Sequence, residues 1–327
     1  MLLCFFICSC AFGAMPHAQQ NKALPVIFDT DMGPDYDDVG AIAILHAFAD
    51  SGKANILATM ASTKHATVAA SLSVLNTYFK RPNIPIGVPK GWARDLRDFQ
   101  HWTDSITAKY PHRIKTNEDA ADAVQLYRKI LAQQPDRSVV VVTVGFLTNL
   151  FELLKSGPDQ HSRLTGKELV KQKVKRLVSM AGRFPSGGEF NVDRHPEASK
   201  YVFENWPTEI ILSGFEIGQK IKTGLPLINN DEIQNSPVKD VFRISIPLDK
   251  QDSLGRMSWD ETAVLVAITG YEPYYSVRRG KMIVSATDGK NTWVDDPNGT
   301  HYHLVEKIPP AEVEKLLNDM MMHQPRR

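Results

Sequence analysis

The chain has 327 residues, 43% of them hydrophobic, and a formal net charge of +1 at pH 7. This length and composition are those of a globular protein with a sizeable core. The near-neutral charge, without a basic stripe, argues against nucleic acid as a partner.

The N-terminal residues 1–20 form a short apolar run that ends in small residues, which predicts a cleaved export signal peptide. All three cysteines, Cys4, Cys8 and Cys10, lie in this run, so the mature chain is expected to have no disulfide. Cleavage just before Cys10 would instead give a lipid-anchored protein of the bacterial lipoprotein type. We therefore expect an exported protein, periplasmic or extracellular. No second hydrophobic stretch reaches transmembrane length.

From residue 24 onward the chain alternates strand-like and helix-like segments. Short β-branched runs predict strands, and segments with helical periodicity predict helices. The predicted strands are 25–30, 138–145, 176–182 and 208–214, and the predicted helices are 38–50, 66–79, 118–133, 196–205, 259–269 and 310–321. This alternation predicts an α/β fold, an open and mostly parallel sheet with helices on both faces. Ligands bind such sheets beyond the carboxyl ends of the strands.

The C-terminal segment 274–308 has a different character. Its strand patterns are separated by Asp-Gly and Asn-Gly turns, which predicts a small antiparallel appendage. No repeat or low-complexity linker interrupts the chain, so residues 24–322 are expected to form a single domain.

Five aspartates lie within ten positions between the first predicted strand and helix: Asp29, Asp31, Asp35, Asp37 and Asp38. Helix capping requires only one or two carboxylates and does not account for five. Carboxylates at this density repel one another unless a positive charge lies among them. Oxygen ligands suit Ca²⁺ or Mg²⁺ rather than Zn²⁺, so the segment predicts a site for a hard cation.

The spacing of these aspartates discriminates between known metal-binding loops. An EF-hand requires Asp or Asn at its fifth position and Gly at its sixth, where this chain has Gly33 and Pro34. That loop is therefore excluded. A phosphatase of the haloacid dehalogenase type also begins with Asp-x-Asp after a strand, but Gly33 stands where such enzymes carry Thr or Val. A metal-dependent phosphohydrolase is thus weakened as an alternative but stays open.

The pattern DxDxGxDxDD resembles the motif of the inosine-uridine preferring nucleoside hydrolase family. Three further stretches, 142–150, 188–199 and 258–267, resemble family segments in the right order. The resemblance implies a Ca²⁺-dependent hydrolase of N-glycosidic bonds in ribonucleoside catabolism and purine salvage. It also implies a small-molecule nucleoside as the partner and a homo-oligomer, either a dimer or a tetramer.

The resemblance also implies roles for individual residues. Asp31, Asp38 and Asp260 would bind the metal through their side chains, and Val144 through its backbone carbonyl. Asp31 would in addition take a proton from the attacking water. The residues matching sugar contacts are Asp37, Glu189 and Asn191. Asp29 is expected to support the site by hydrogen bonding, and the role of Asp35 is open.

One departure from the family pattern is Trp259, which stands where many members have a His that protonates the departing base. An indole is not a general acid. Trp259, Phe184 or Trp92 could instead stack against the base, and packing of Trp259 in the core is an equally open interpretation.

Other departures concern histidines. His65 lies in the segment 60–69, where the family commonly has a Gly-Asn after its second strand, and could supply the missing proton, although a lone loop His is more often incidental. His195 stands where Asp usually precedes Pro-Glu-Ala. Residues 90–113 are either a substrate clamp or a solvated loop.

These differences from the family pattern leave open which group is released from the sugar. The main hypothesis is a nucleoside hydrolase. The alternatives are a hydrolase of a different riboside and a riboside-binding protein that has lost turnover.

Overall fold

The computed structural model describes residues 23–325, so the predicted signal peptide and Cys10 lie outside the described residues. Its strands are β1 (Leu24–Thr30), β2 (Ala54–Ala61), β3 (Ile86–Val88), β4 (Ala121–Asp122), β5 (Val139–Thr143), β6 (Val174–Met180), β7 (Ser186–Gly187), β8 (Glu209–Ser213), β9 (Lys222–Thr223), β10 (Arg256–Met257), β11 (Tyr275–Val284), β12 (Asn291–Asp295) and β13 (His301–Glu306).

The helices are α1 (Asp37–Asp50), α2 (Val68–Tyr78), α3 (Trp102–Lys109), α4 (Ala123–Ala132), α5 (Thr148–Lys155), α6 (Gly166–Lys173), α7 (Phe190–Asp193), α8 (Pro196–Asn205), α9 (Phe215–Gly218), α10 (Leu225–Ile228), α11 (Pro237–Ser245), α12 (Trp259–Thr269) and α13 (Pro310–Met321). Single 3₁₀ turns lie at Asn117–Asp119, Ile246–Leu248 and Lys250–Asp252. Between residues 23 and 325 no helix combines the length and the apolar character needed to cross a bilayer.

The central sheet has the strand order β4-β3-β2-β1-β5-β6-β8-β13-β11-β12-β7 within the described residues. The strands from β4 to β13 in this order run parallel, and β11, β12 and β7 add antiparallel pairs at one edge. The predicted fold class is therefore confirmed, and the antiparallel C-terminal strands continue the main sheet through β13. Strands β9 and β10 form a separate antiparallel pair.

Helices cover both faces because the inner strands are apolar on both sides. In β1, Val26 and Phe28 belong to one buried cluster and Ile27 to the other, as the two-residue period of a strand requires. Helix α1 packs in the first cluster and α5 in the second. The core thus fixes the carboxyl end of β1 at the middle of the sheet.

The predicted helix at 118–133 is wrong at its start. Thr116 and Asp119 form a capping box around a 3₁₀ turn, and residues 121–122 pair with β3 as β4. Helix α4 begins only at Ala123, where the Asp122 side chain accepts a hydrogen bond from the Gln125 N–H. Two capping residues close together therefore divide a segment that reads as one periodic helix.

Candidate active site

The loop between β1 and α1 carries the first group of acidic side chains. Helix α1 begins at Asp37, one residue before the predicted start, and Asp31 directly follows the carboxyl end of β1. Gly33 has φ +148°, and a Cβ there would lie 3.1 Å from the His65 ring. Glycine is therefore required for the turn that returns the chain toward the sheet.

A cluster of buried carboxylates occupies this edge. Asp37, Asp38 and Asp260 each offer an oxygen within 4.8 Å of the others, and Asp31 is only 2% exposed. Burial, followed by the negative charge of Asp38, raises the pKa of Asp31 well above its usual range. Asp31 Oδ2 and Asp38 Oδ2 are buried without a hydrogen-bond partner among the described residues. Orphaned carboxylate oxygens at this density fit a bound hard cation.

Asp29 lies beneath this cluster and has a different environment. Its carboxylate accepts hydrogen bonds from Tyr127 Oη at 2.8 Å and from Asn149 Nδ2 at 3.1 Å. Burial nevertheless raises the pKa of Asp29 to about 7. Asn149 Nδ2 also donates to the Ala61 carbonyl at 2.7 Å, which ties the end of β2 to β1. These contacts support the prediction that Asp29 holds the site together from below.

The opposite wall of the site comes from the chain after β6. The Glu189 carboxylate accepts backbone N–H groups of Asn191 at 2.8 Å, Gly182 at 3.1 Å and Val192 at 3.3 Å. Burial raises its pKa to about 7 despite these bonds. Asn191 Nδ2 donates to the Val144 carbonyl at 2.9 Å. The predicted sugar-binding pair is therefore rigidly placed and touches the carbonyl predicted to bind the metal.

Arg256 on β10 supplies a positive charge that no sequence pattern indicated. Its Nη2 and Nε lie 2.8 and 3.1 Å from Asp37 Oδ1, and it also forms an ion pair with Asp35. Asp37 Oδ2 in turn accepts the backbone N–H groups of Trp259 at 3.1 Å and Asp260 at 3.3 Å. Four donors therefore surround the Asp37 carboxylate, which anchors the start of α12.

Trp259, the first residue of α12, faces the same space. Its indole N–H donates to the Phe215 carbonyl at 2.8 Å, and its ring centroid lies 5.2 Å from that of Phe215. The ring is only partly buried, unlike a core tryptophan. Trp259 is thus positioned to present an aromatic surface to a ligand.

These elements enclose a cavity of about 440 Å³, large enough for a small organic molecule. Of the predicted site residues, the lining includes Asp31, Asp37, Val144, Glu189, Asn191, Trp259 and Asp260. Asp38 contributes to the carboxylate cluster behind this surface.

Besides Asp38, two more predicted site residues, His65 and Phe184, do not line the cavity. His65 Nε2 lies 2.9 Å from Thr67 Oγ1 and 3.1 Å from Thr103 Oγ1, in a buried position. The Phe184 ring stacks on His303 with a centroid separation of 4.4 Å. Both side chains are satisfied by neighbours in the protein.

Two further candidates also lie outside the cavity lining. Trp92 is 56% exposed and packs on His195, with a centroid separation of 4.3 Å. His195 Nδ1 lies 3.1 Å from Thr148 Oγ1. Their contact joins the segment 90–113, for which a clamp and a solvated loop are both open, to the residue before α8.

Gln100 of the candidate clamp segment 90–113 lines the cavity, whereas several other lining residues were not predicted: Met180, Phe190, Phe215, Asp249 and Arg256. Phe215 follows the carboxyl end of β8 by two residues, so the position of the strand end could have indicated it. Arg256 lies in a two-residue strand that has no recognisable pattern in the sequence.

Comparisons with known proteins agree with this arrangement. The model of the family "Inosine-uridine preferring nucleoside hydrolase" matches residues 26–314. The pyrimidine-specific ribonucleoside hydrolase RihA of Salmonella agona is 29% identical over 231 residues, covering 67% of this chain and 69% of RihA.

Solved structures agree in fold. A purine-preferring ribonucleoside hydrolase from Gardnerella vaginalis has a TM-score of 0.69 and 17% identity over 91% of this chain and 98% of its own. An inosine-uridine preferring nucleoside hydrolase from Bacillus anthracis has a TM-score of 0.68 and 14% identity over 91% and 99%.

The mostly parallel sheet is shared over most of the chain with these solved structures, and the family model that matches residues 26–314 defines the class as nucleoside hydrolases. The chain belongs to the inosine-uridine preferring nucleoside hydrolase family. The predicted family and enzyme class are thereby confirmed.

Proposed function

We propose that the protein is a Ca²⁺-dependent hydrolase that splits the N-glycosidic bond of ribonucleosides and releases ribose and base. The observation that carries this proposal is the buried carboxylate cluster, in which Asp31 Oδ2 and Asp38 Oδ2 have no partner, at the wall of a cavity that fits a small molecule. The family to which the chain belongs supports the reaction type.

The residues that would hold the cation are Asp31, Asp38, Asp260 and the carbonyl of Val144. All four donors are oxygens, and such donor sets suit Ca²⁺. When bound, this ion would lower the pKa of a coordinated water and neutralise the carboxylates around it.

The side chains of the chain itself then perform distinct tasks. Asp31 Oδ2 accepts the proton of the attacking water, because it is buried and free of other donors. Glu189 and Asn191 contact the sugar from the opposite wall, and the carboxylates around the cavity stabilise the positive charge that develops on the sugar ring.

Asp37 anchors Arg256 and the start of α12, and thereby orients Asp260. Four donors already surround the Asp37 carboxylate. The predicted contact of Asp37 with the sugar hydroxyls therefore stays a prediction. The base would lie against Trp259 and Phe215. The relatives do not decide which base is preferred, since one is named pyrimidine-specific and another purine-preferring.

The test is release of reducing sugar from a panel of purine and pyrimidine ribonucleosides, with Ca²⁺ and with a chelator. Asp31→Asn should lower kcat by about 1,000-fold, because it removes the proton acceptor while keeping the shape of the side chain. Asp288→Asn makes the same chemical change on an exposed aspartate and is the matched control.

Sugar release that survives both the chelator and Asp31→Asn would contradict the proposal. Binding of Ca²⁺ and nucleoside without any release would instead establish the alternative, a riboside-binding protein. That alternative is favoured by one observation, the absence of His, Lys, Tyr and Cys from the cavity lining among the described residues.

We further propose that residues 1–20 direct export and that the mature protein is a homo-oligomer. The mass of the mature N-terminus distinguishes simple cleavage from lipid attachment at Cys10. Light scattering after gel filtration measures the number of subunits.

A further inference from the structure

The turn at residues 98–101 brings two neighbouring side chains of the segment 90–113 to the cavity. Phe99 and Gln100 both line the cavity, but Phe99 is 62% exposed whereas Gln100 is only 6% exposed. Phe99 therefore lies at the mouth of the cavity, and Gln100 lies in its wall.

Asp98 fixes the conformation of this turn. The buried Asp98 carboxylate accepts the Thr103 backbone N–H at 2.8 Å and the Thr103 hydroxyl at 2.9 Å. His65 Nε2 lies 3.4 Å from Asp98 Oδ1, which joins the turn to the loop after β2. His101 has φ +56°, a conformation that residues other than glycine rarely adopt. These contacts give Gln100 a defined position, as a substrate contact requires.

Gln100 Oε1 is buried and has no hydrogen-bond partner between residues 23 and 325. A buried amide oxygen without a donor costs stability, so such atoms in native proteins call for an explanation. A bound cation accounts for the orphaned oxygens of Asp31 and Asp38, but Gln100 does not belong to the carboxylate cluster. Its oxygen therefore requires an N–H or O–H donor from the molecule that fills the cavity.

The remaining polar side chains of the lining differ from Gln100. Asp35 forms an ion pair with Arg256, and Asp249 Oδ1 accepts the Gln251 N–H at 2.9 Å. Gln251 itself is exposed. Apart from the residues proposed to bind the cation and the sugar, Gln100 is thus the buried lining side chain, within the described part of the chain, that is left without a partner.

The base supplies the donor that this oxygen lacks. Under the proposed function the sugar hydroxyls face the cation, Glu189 and Asn191. The donors that remain on a nucleoside are the ring N–H of uracil or hypoxanthine and the amino group of cytosine or adenine. A glutamine amide has an acceptor beside a donor, and it therefore matches a base edge on which an N–H adjoins an acceptor.

We propose that Gln100 selects the base by accepting a hydrogen bond from an N–H group on the base edge remote from the sugar. This inference rests on the proposed ribohydrolase function and specifies which residue recognises the base. The substrates are then ribosides whose base carries such a donor. Asp98 and His65 act through Gln100 and are positioning residues.

The experiment compares kcat/KM of the Ca²⁺-loaded mature protein for uridine and 3-methyluridine, and for inosine and 1-methylinosine. Each methylated compound lacks the ring N–H. The unaltered protein should prefer the unmethylated member by about 30-fold, because the methylated base leaves Gln100 Oε1 unpaired. Absence of this preference overturns the inference.

Gln100→Ala removes the amide and makes room for the methyl group, so the preference should fall to about threefold or less. Gln160→Ala makes the same change on an exposed glutamine outside the cavity lining, and it should keep the full preference. Retention of the preference in Gln100→Ala contradicts the inference. If Gln100→Ala does not fold, Gln100→Met, which keeps the length of the side chain, takes its place.

A further substrate, 5′-deoxyuridine, distinguishes a contact with the base from a contact with the sugar. The ratio of kcat/KM for uridine and 5′-deoxyuridine should be the same in Gln100→Ala and in the unaltered protein. A change in this ratio, with the preference over 3-methyluridine unaffected, means that Gln100 contacts the sugar and that the inference is wrong.

Asp98→Ala tests the positioning role, because it frees the turn while keeping Gln100. The preference for uridine over 3-methyluridine should fall to about tenfold or less, an effect on selectivity that loss of stability alone does not produce. An unchanged preference in folded Asp98→Ala would show that Asp98 does not position Gln100.

Failure of the proposed function gives a different result. If the unaltered protein cleaves no riboside, the hydrolase proposal is wrong, and calorimetry then gives Kd for the same pairs. Tighter binding of uridine that Gln100→Ala abolishes would support base recognition by a binding protein. Binding that does not depend on Gln100, or no binding at all, overturns the inference as well.

Discussion

Two buried charged clusters in this molecule differ in whether their charged groups have partners within the protein. Arg128 on α4 has a fully buried side chain, and its guanidinium donates to Asp159, to Ser156 Oγ and to two backbone carbonyls. The carboxylate cluster at the end of β1 is buried just as deeply but contains two oxygens without a partner among the described residues. A structural charge is satisfied within the chain, whereas the functional cluster is left for a ligand to complete.

Arg256 tests this comparison most strongly because it is the counter-charge that the protein places beside the carboxylate cluster. Arg256→Met would leave Asp37 partly unpaired and displace the start of α12. We expect kcat/KM to fall by about 100-fold, the effect of breaking a buried charged pair.

Arg256→Lys is the matched variant and should recover part of this loss, because one ammonium replaces a two-point contact. Steady-state kinetics on folded protein measure both. Unchanged kinetics in Arg256→Met would show that the cluster does not depend on this residue.

The Arg128 cluster should respond through stability alone. Asp159→Asn leaves a buried guanidinium without its carboxylate and should lower the free energy of unfolding by about 3 kcal/mol. Asp136→Asn, which alters an exposed partner of Lys173, is the control and should cost far less. Denaturant titration measures both, and activity per folded molecule should not change.

The pair of Arg128 and Asp159 also predicts how stability depends on pH. The hydrogen bond from Arg128 lowers the pKa of Asp159 to about 2 from its ordinary 3.8. Its stabilisation is therefore complete above pH 3.8 and is lost as the pH falls toward 2. Asp159→Asn should reduce the loss of stability in that interval, and an identical acid dependence would argue against the pair.

Addition of Ca²⁺ should distinguish the two clusters by its effect on stability. At a free concentration 100 times Kd, the ion should add about 2.7 kcal/mol to the stability of the unaltered protein. Asp159→Asn should retain this gain in full, whereas Asp260→Asn should lose most of it. Thermal unfolding with and without a chelator gives the comparison, and an equal gain in both variants would place the ion elsewhere.

The smallest expected effect is an increase in stability rather than a decrease. In metal-free protein, Asp31→Asn removes one of several buried like charges and should raise stability by about 1 kcal/mol. Asp159→Asn lowers stability under the same conditions. Destabilisation by both variants would mean that the carboxylate cluster is satisfied within the protein after all.

The sequence indicated the inner part of the site because aspartates concentrated after an apolar strand have few structural explanations. It also located the strand ends that bring Asp31, Val144 and Glu189 together. Arg256 was missed because its position depends on the pairing of β10 with β9, a contact between short segments far from regular periodicity.

The directions of individual side chains could not be predicted from the sequence either. His65 follows β2 and Phe184 follows β6, but the His65 side chain is held by hydroxyl groups and the Phe184 ring by a neighbouring ring. The helix at 118–133 failed at its start because local capping outweighed periodicity. The motif and the mostly parallel sheet were therefore accessible from the sequence, while loop packing was not.

The anchoring of Asp37 to the start of α12 has a consequence for the integrity of the chain. Asp37 and Asp260 are 223 positions apart, and the chain has no cysteine after Cys10 with which to cross-link itself. An ion shared by the first turns of α1 and α12 would join segments that far apart in the folded chain and, unlike a disulfide, would release them on unfolding, so its stabilisation would rise and fall with the free ion concentration. Resistance of the folded chain to proteases would then depend on the supply of that ion rather than on oxidation.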